Sequence, residues 1–315
     1  MQLNGHRAMS LMKALAGIAI SWLVAASALA ANAPAGSAFG NYSEPLGVPA
    51  PADLHSGAAA SLVSAAPAAT AGRVAVPILV YHRFGAAVTD SMTVADDTFA
   101  WQLQYLKDRG YTVIPLHDLV DFLRGRGSAP PPRSVVITAD DGHRSVYSDM
   151  LPLIKPYGFH VTLFIYPSAI SNASYALTWP QLAELIHTGL FDVQSHTYWH
   201  PNFHQDKKRL APPQYDAFVH MQLAKSRNVL ESRLGIHVDL LAWPFGIYDD
   251  DLMARAQAEG YVAALSIERR PATSADPLME LPRYLMTNAD RGPAFGELLK
   301  DQVFAKERAI HSTAR

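Results

Sequence analysis

From Val76 onward, apolar and polar positions follow two periods in turn. Short continuous apolar runs, such as VPILVY and SVVITA, are followed by segments whose apolar residues recur every three to four positions, such as DDTFAWQLQYLKDRG. Continuous apolar runs are typical of strands buried on both faces, and the second period is typical of amphipathic helices. This alternation, repeated about seven times, predicts parallel strands that are joined by helical crossovers.

The alternation favours a closed barrel over an open sheet. No Gly-x-Gly-x-x-Gly follows the first predicted strand, so the sequence does not indicate a dinucleotide-binding fold. We therefore predict an α/β protein whose strands, about seven in number, form a barrel related to the eight-fold (β/α) barrel. In such barrels the functional residues lie in loops at the carboxyl ends of the strands.

The N-terminal segment has a different pattern. Arg7 and Lys13 precede an uncharged apolar run that ends in Ala28-Leu29-Ala30, which predicts an export signal cleaved after Ala30. An uncleaved anchor is the alternative, although the run is short for a membrane span. We expect export to the periplasm or out of the cell, with no membrane span after cleavage.

The chain divides into four predicted segments. The residues that follow the signal are rich in Ala, Pro, Gly and Ser and have no sustained period, which is typical of a flexible linker. The predicted boundaries are 1–30 for the signal, 31–72 for the linker, 73–300 for one domain and 301–315 for a C-terminal tail.

The composition is that of a globular, enzyme-sized domain. Hydrophobic residues make up 49% of the chain and charged residues 17%, and the formal net charge of −2 gives no reason to expect nucleic acid as a partner. The absence of cysteine excludes thiolate chemistry and Cys-bound zinc. Thirteen histidines are many for this length, and histidine is the commonest metal ligand. The oligomeric state cannot be inferred from these features.

Three predicted strand ends carry sequences suited to chemistry. TADDG places Asp140 and Asp141 after one strand, HTYWH places His196 and His200 after another, and WPFG ends a third. Taken singly, these are a turn, a chance pair and a bend. Two histidines four residues apart on one helical turn, however, place both imidazoles on the same side, where they can bind one ion.

Together the three motifs have the make-up of a catalytic metal site. Two histidines and one aspartate supply three ligands and leave an open position, which is typical of catalytic zinc, with nickel or cobalt as alternatives. A bound metal lowers the pKa of its water to about 7 and polarises a carbonyl oxygen. The other aspartate can accept the proton of the attacking water. This predicts hydrolysis of an amide or an ester.

These motifs resemble those of the polysaccharide deacetylases, the NodB-homology family of carbohydrate esterases. TADDG stands where the family has TFDDG, HTYWH matches H-S/T-x-x-H, and VPILVYHRF is similar to the branch of exported poly-N-acetylglucosamine deacetylases. The resemblance covers residues 74–290. It implies a distorted (β/α) barrel and removal of N-acetyl groups from an exported or cell-wall polysaccharide by attack of a metal-bound water.

The resemblance also implies a role for each motif residue. Asp140 takes the place of the general base, and the metal ligands are Asp141, His196 and His200. The family's third motif, Arg-Pro-Pro-Tyr-Gly, reads Ala-Trp-Pro-Phe-Gly here, which assigns the main-chain N–H of Phe245 to the oxyanion. Removing one such donor typically costs about 10²–10³ in rate.

Two family residues are missing from their usual positions. Ala242 stands in place of the arginine that orients the base, and Arg283 is the predicted replacement because a guanidinium braces a carboxylate bidentately. A surface arginine is the alternative reading of Arg283. The late Leu-x-His is also absent, and His82 is predicted to be the substitute acid or a substrate contact. The alternative for His82 is a hydrogen-bonded core residue.

Aromatic residues near the second and third motifs suit a sugar ring, whose apolar face stacks on aromatic faces. The predicted substrate contacts are Tyr198, Trp199 and Pro244, and Phe203 and Trp179 extend the predicted wall, although Trp179 also suits a core position. Two other functions remain open. The missing residues suit a catalytically silent sugar-binding protein, and a two-carboxylate glycosidase is weaker because it leaves the histidine pair without a task.

Overall fold

The computed structural model describes residues 74–299. The predicted signal, linker and tail lie outside the described residues, and their boundaries stay predictions. Within 74–299, no helix combines the length and the apolar character that a membrane crossing requires.

Strands and helices alternate along the described chain. The strands are β1 (Ala75–Val76), β2 (Ile78–Tyr81), β3 (Arg83–Gly85), β4 (Thr93–Ala95), β5 (Thr112–Val113), β6 (Ser134–Asp140), β7 (Val161–Ile165), β8 (Phe191–Ser195), β9 (Leu240–Ala242), β10 (Ala263–Leu265), β11 (Ala272–Thr273) and β12 (Tyr284–Leu285). The α-helices are α1 (Asp96–Asp108), α2 (Leu116–Leu123), α3 (Leu151–Ile154), α4 (Trp179–His187), α5 (Phe203–Arg209), α6 (Pro212–Leu234) and α7 (Asp250–Ala258). Residues 293–299 form a further helix.

The main sheet is parallel and curls into a distorted barrel. Its strands lie in the order β10-β9-β8-β7-β6-β2-β12, and β5 pairs with β6 beside this path. Leu281 forms a parallel bridge with Leu265 of β10, and β12, which follows it, pairs with β2. The last segment of the domain therefore connects the two ends of the sheet, and the predicted (β/α) barrel is confirmed.

The strands form where the sequence is continuously apolar. All seven residues of β6 and all five of β7 are buried, as expected for strands covered on both faces. The helix α1 buries Phe99, Leu103 and Leu106, the predicted apolar face, and its first turn carries Asp96 and Asp97, which favour the positive end of the helix dipole.

Neighbouring residues of each strand belong to different apolar clusters, because successive side chains point to opposite faces. Leu79, Ile137 and Leu163 belong to the larger cluster. Val136 and Phe164 belong to the smaller one, against which α2 also packs. This alternation matters at the end of β6, where it decides which way Asp140 points.

The central strands should be the most sensitive part of the core. Leu163 in β7 is fully buried, so Leu163→Ala leaves a cavity and should lower the free energy of unfolding by about 2–5 kcal/mol. Urea unfolding measures this loss. The matched control is Val88→Ala at a 48% exposed position, where a change within about 0.5 kcal/mol is expected. Equal losses at both positions would contradict the assigned core.

Candidate active site

The carboxyl ends of β6 and β8 bring three charged or titratable side chains together. Asp141 follows β6, and His196 and His200 follow β8. The Nε2 atoms of both histidines lie 3.7 Å from the same Asp141 oxygen, Oδ1. One ligand atom of each residue lies within 4.8 Å of the others, and no other group in residues 74–299 meets this criterion.

The environment of Asp141 fits a divalent cation. Its Oδ1 is buried and has no hydrogen-bond partner among the described residues. A separation of 3.7 Å from each imidazole is too long for a hydrogen bond, but it suits ligands that share one ion with bonds of about 2 Å. A buried carboxylate oxygen without a partner is costly, and a cation at this point would satisfy it.

His196 is oriented by the main chain of the third motif. Its Nδ1 lies 2.7 Å from the carbonyl oxygen of Ala242. A carbonyl only accepts hydrogen bonds, so Nδ1 carries the hydrogen and Nε2 keeps its lone pair toward Asp141. Ala242 therefore orients His196 through its carbonyl group, and this contact does not depend on the Ala242 side chain.

The histidine segment is a turn rather than the predicted helical turn, and that prediction is wrong. Thr197 and His200 have φ of 63° and 61°, in the left-handed region, and the main-chain N–H of His200 donates to Thr197 Oγ1 at 3.3 Å. Burial and the neighbouring His196 lower the pKa of His200 to about 4, although Asp141 opposes them. At neutral pH the His200 imidazole is therefore uncharged, which is the form that binds a metal.

Asp140 is directed toward Arg283, and its Oδ2 also lies 3.8 Å from His196 Nε2. It is the last residue of β6 and is buried, and Arg283 donates to its two oxygens at 2.8 and 2.7 Å. Burial raises the pKa of the Asp140 carboxyl, but Arg283 and His196 more than offset it, so the pKa lies below its ordinary value. Asp140 is thus held in the ionised form.

Arg283 is fully buried, so it is not a surface arginine. Besides Asp140, its guanidinium donates to the Ser266 carbonyl at 2.9 Å and to Thr138 Oγ1 at 3.3 Å. Its centre also lies 5.4 Å from the Phe164 ring. Arg283 therefore pairs with Asp140 although the two residues lie far apart in the sequence.

The backbone at Gly142 requires the glycine of the Asp-Asp-Gly motif. Its φ is +68°, and a Cβ at this position would lie 2.9 Å from Ile165 Cδ1 and 3.1 Å from Ile170 Cδ1. Only glycine allows both this backbone conformation and the close approach of the loop after β7. Asp141, directly before it, also has a positive φ of 72°.

The third motif places an aromatic ring over the cluster. Phe245 is 56% exposed with φ 57°, and its ring centroid lies 4.5 Å from that of His200. The Trp243 indole donates to the Met279 carbonyl at 2.9 Å and anchors the turn. Pro244 is buried in this turn, and its contact with substrate stays a prediction.

His82 lies within electrostatic reach of both aspartates. Burial lowers the pKa of its imidazole, while Asp140 and Asp141 act in the opposite direction. Its Nδ1 is buried and has no hydrogen-bond partner in the described part of the chain. His82 is therefore not a core histidine whose Nδ1 is hydrogen-bonded, which was the alternative prediction.

The predicted aromatic wall is only partly at the surface. Trp199 is 48% exposed, and the main-chain N–H groups of Tyr198 and Trp199 both donate to Gln222 Oε1 at 3.1 Å. Phe203 is fully buried, so its place in the wall is wrong. Trp179 packs against the core, with the Arg233 guanidinium 5.6 Å from its ring.

Comparison with known proteins agrees with this geometry. Residues 127–264 match the family model described as polysaccharide deacetylase. The chain is similar to the polysaccharide deacetylases over this range. This similarity indicates a hydrolase that acts on N-acetyl amide bonds. The family match covers the aspartate pair, both histidines and the third motif, and Arg283 and His82 lie outside it.

Individual relatives are distant in sequence but similar in fold. A poly-beta-1,6-N-acetyl-D-glucosamine N-deacetylase of Staphylococcus epidermidis is 25% identical over 221 residues, 69% of this chain and 74% of that protein. The Streptococcus pyogenes deacetylase PplD, solved with acetate, has a TM-score of 0.65 at 24% identity and covers 72% of this chain and 99% of its own. IcaB from Ammonifex degensii has a TM-score of 0.62 at 24% identity and covers 72% and 97%. At this identity the structures show the fold alone.

The sequence analysis did not identify two tyrosines that lie beside the histidine cluster. The ring centroid of Tyr166 lies 5.4 Å from that of His200, and its hydroxyl lies 2.6 Å from the hydroxyl of Tyr175. Tyr166 directly follows β7, so the rule that functional residues lie at strand ends would have found it. Tyr175 lies in a longer loop, and no sequence pattern marks it.

The buried pair of Arg283 and Asp140 can be tested by unfolding. Arg283→Met leaves the Asp140 charge buried without its partner and should cost about 3–5 kcal/mol in the free energy of unfolding. Because the two residues are in contact, Arg283→Met with Asp140→Asn should cost less than the two single variants added together.

The control is the exposed pair of Arg209 and Asp206, 2.7 Å apart, in which Arg209 is 68% exposed. Arg209→Met should change the free energy of unfolding by no more than about 0.5 kcal/mol in the same urea titration. Strict additivity of the Arg283 and Asp140 variants would show that the two residues do not interact.

Proposed function

We propose that this protein is a metal-dependent hydrolase that removes N-acetyl groups from an exported or cell-wall polysaccharide. The observation that carries the proposal is the different pairing of the two adjacent aspartates: Asp141 faces two histidines, while Asp140 accepts two hydrogen bonds from Arg283. The relatives named as poly-beta-1,6-N-acetyl-D-glucosamine N-deacetylases support an N-acetylated glycan as the substrate class.

The cation in this proposal is held by Asp141, His196 and His200. Zinc suits this ligand set best, and nickel and cobalt are alternatives. When bound, the cation supplies Lewis-acid chemistry: it polarises the amide carbonyl and lowers the pKa of water. The neutral His200 imidazole and the fixed tautomer of His196 leave both Nε2 atoms free to bind it.

Asp140 is the general base. The lowered pKa of its carboxyl keeps it ionised, and its Oδ2 lies 3.8 Å from His196 Nε2, at the edge of the cluster. From this position it accepts the proton of the water that attacks the amide carbonyl. Arg283 positions it through two hydrogen bonds.

Two further groups complete the proposed reaction. The main-chain N–H of Phe245, in the exposed turn over His200, donates to the oxyanion that forms on the substrate. His82 transfers a proton to the leaving amine. This transfer requires its imidazolium form. Burial lowers the pKa of the His82 imidazole overall, and the charges of Asp140 and Asp141 offset only part of that effect.

Substrate contact and export complete the proposal. Tyr198 and Trp199 contact the sugar, because Trp199 is half exposed directly before His200. Residues 1–30 act as a signal, and the enzyme works in the periplasm or outside the cell, where its polysaccharide is found.

Acetate release from N-acetylglucosamine oligomers tests the proposal. A chelator should abolish the release, and added zinc should restore it. Asp140→Asn should lower kcat by about 10²–10⁴ because the base is lost. The control is His204→Ala, an exposed histidine of α5 outside the cluster, which should keep its activity. Release that is indifferent to both chelator and Asp140→Asn would exclude this mechanism.

The same assay separates the main alternative, a catalytically silent sugar-binding protein. Such a protein would bind the oligomers tightly, contain no metal and release no acetate. The absence of the motif arginine favours this alternative, and the contact of Arg283 with Asp140 argues against it.

A further inference from the structure

Two tyrosine hydroxyls form a pair beside the histidine cluster, and the reaction proposed above uses neither. The ring centroid of Tyr166 lies 5.4 Å from that of His200 and 6.4 Å from that of His196. Its hydroxyl lies 2.6 Å from the hydroxyl of Tyr175. Tyr175 is 41% exposed, so the pair connects the cluster to the surface.

The loop that carries Tyr175 is fixed to the loop that carries Asp141. The main-chain N–H of Arg144 donates to the Tyr175 carbonyl at 2.8 Å, and that of Leu177 donates to the Gly142 carbonyl at 2.9 Å. The His143 ring lies parallel to the Tyr175 ring, at an angle of 9° and a centroid distance of 6.3 Å. Tyr175 is therefore held in place before any ligand binds, which reduces the entropy cost of binding.

The two hydroxyl groups have one hydrogen-bond donor that the bond between them does not use. Two phenols carry two protons, and the bond between them uses one. Tyrosine hydroxyls ordinarily carry their proton at neutral pH. One proton of the pair is left to donate to a ligand.

Exposed apolar side chains also lie at this edge of the sheet. In the described part of the chain, the large hydrophobic residues that are exposed all lie in loops beyond the carboxyl ends of sheet strands: Val88, Tyr175, Trp199, Phe245 and Ile267. Exposed apolar side chains gathered in one region mark a binding surface. Tyr175 therefore offers a ring face and access to a hydroxyl donor, which together suit a sugar ring.

We propose that Tyr166 and Tyr175, with His143 stacked on Tyr175, form a subsite for the sugar ring that carries the acetamido group. The free phenol proton donates to a ring hydroxyl, and the Tyr175 ring contacts the apolar face of the sugar. This inference rests on the proposed function and adds the source of sugar selectivity. The pair recognises the sugar and takes no part in cleaving the amide.

Removing one hydroxyl at a time tests the subsite. Tyr175→Phe and Tyr166→Phe keep the rings and should raise KM for N-acetylglucosamine oligomers by about 3- to 10-fold, the value of one hydrogen bond. The kcat should change by less than about two-fold, because positioning rather than cleavage is affected. Hydrolysis of 4-nitrophenyl acetate, which has no sugar hydroxyl, should be unchanged.

The control is Tyr147→Phe, which removes a hydroxyl bonded to Glu184 of α4. This variant should leave KM and kcat unchanged for both substrates. An unchanged KM for the oligomers in both tyrosine variants would overturn the subsite. So would an equal loss on oligomers and on 4-nitrophenyl acetate, since that pattern indicates damage to the cluster.

The subsite can be tested even if the proposed function fails. Should the wild-type protein release no acetate from oligomers, calorimetric titration with the same oligomers replaces the kinetic assay. Weaker binding by Tyr175→Phe than by Tyr147→Phe supports the subsite, and equal binding overturns it.

Discussion

The structure depends on how the chain leaves strand β6. Two adjacent carboxylates lie there, and two like charges at one point would repel each other and be costly to bury. Strand alternation directs Asp140 toward Arg283, and the positive φ of Asp141 turns the next side chain toward His196 and His200. Each carboxylate thus has its own environment, one satisfied by a guanidinium and the other suited to a cation.

Backbone strain is concentrated around this point. Of the six non-glycine residues with positive φ in the described chain, four lie in the site: Asp141, Thr197, His200 and Phe245. Each such residue costs about 1–3 kcal/mol, so the surrounding barrel has to hold them in place. The fully buried β6 and β7 and the bond from His196 to the Ala242 carbonyl provide that rigidity. The site is therefore organised before a ligand arrives.

The structural features that follow a regular sequence period could be predicted from the sequence. Continuous apolar runs identified the buried strands, and the rule that chemistry lies at carboxyl ends placed Asp141 near both histidines. Geometry without a period could not be predicted. The turn at residues 196–200 uses two left-handed residues where a helical turn was expected, and the turn that buries Pro244 follows the Trp243 indole, which bonds to the Met279 carbonyl. The contact of Arg283 with Asp140 depends on the last strand pairing with β2, and the Tyr175 contact depends on a long loop.

The most direct test of the central claim is anomalous diffraction at the zinc edge from crystals of the protein grown with zinc. We expect one peak about 2.0–2.2 Å from Asp141 Oδ1 and from the Nε2 atoms of His196 and His200, with Asp140 still bonded to Arg283. A peak coordinated by Asp140, or zinc bound elsewhere with none between these three residues, would contradict it.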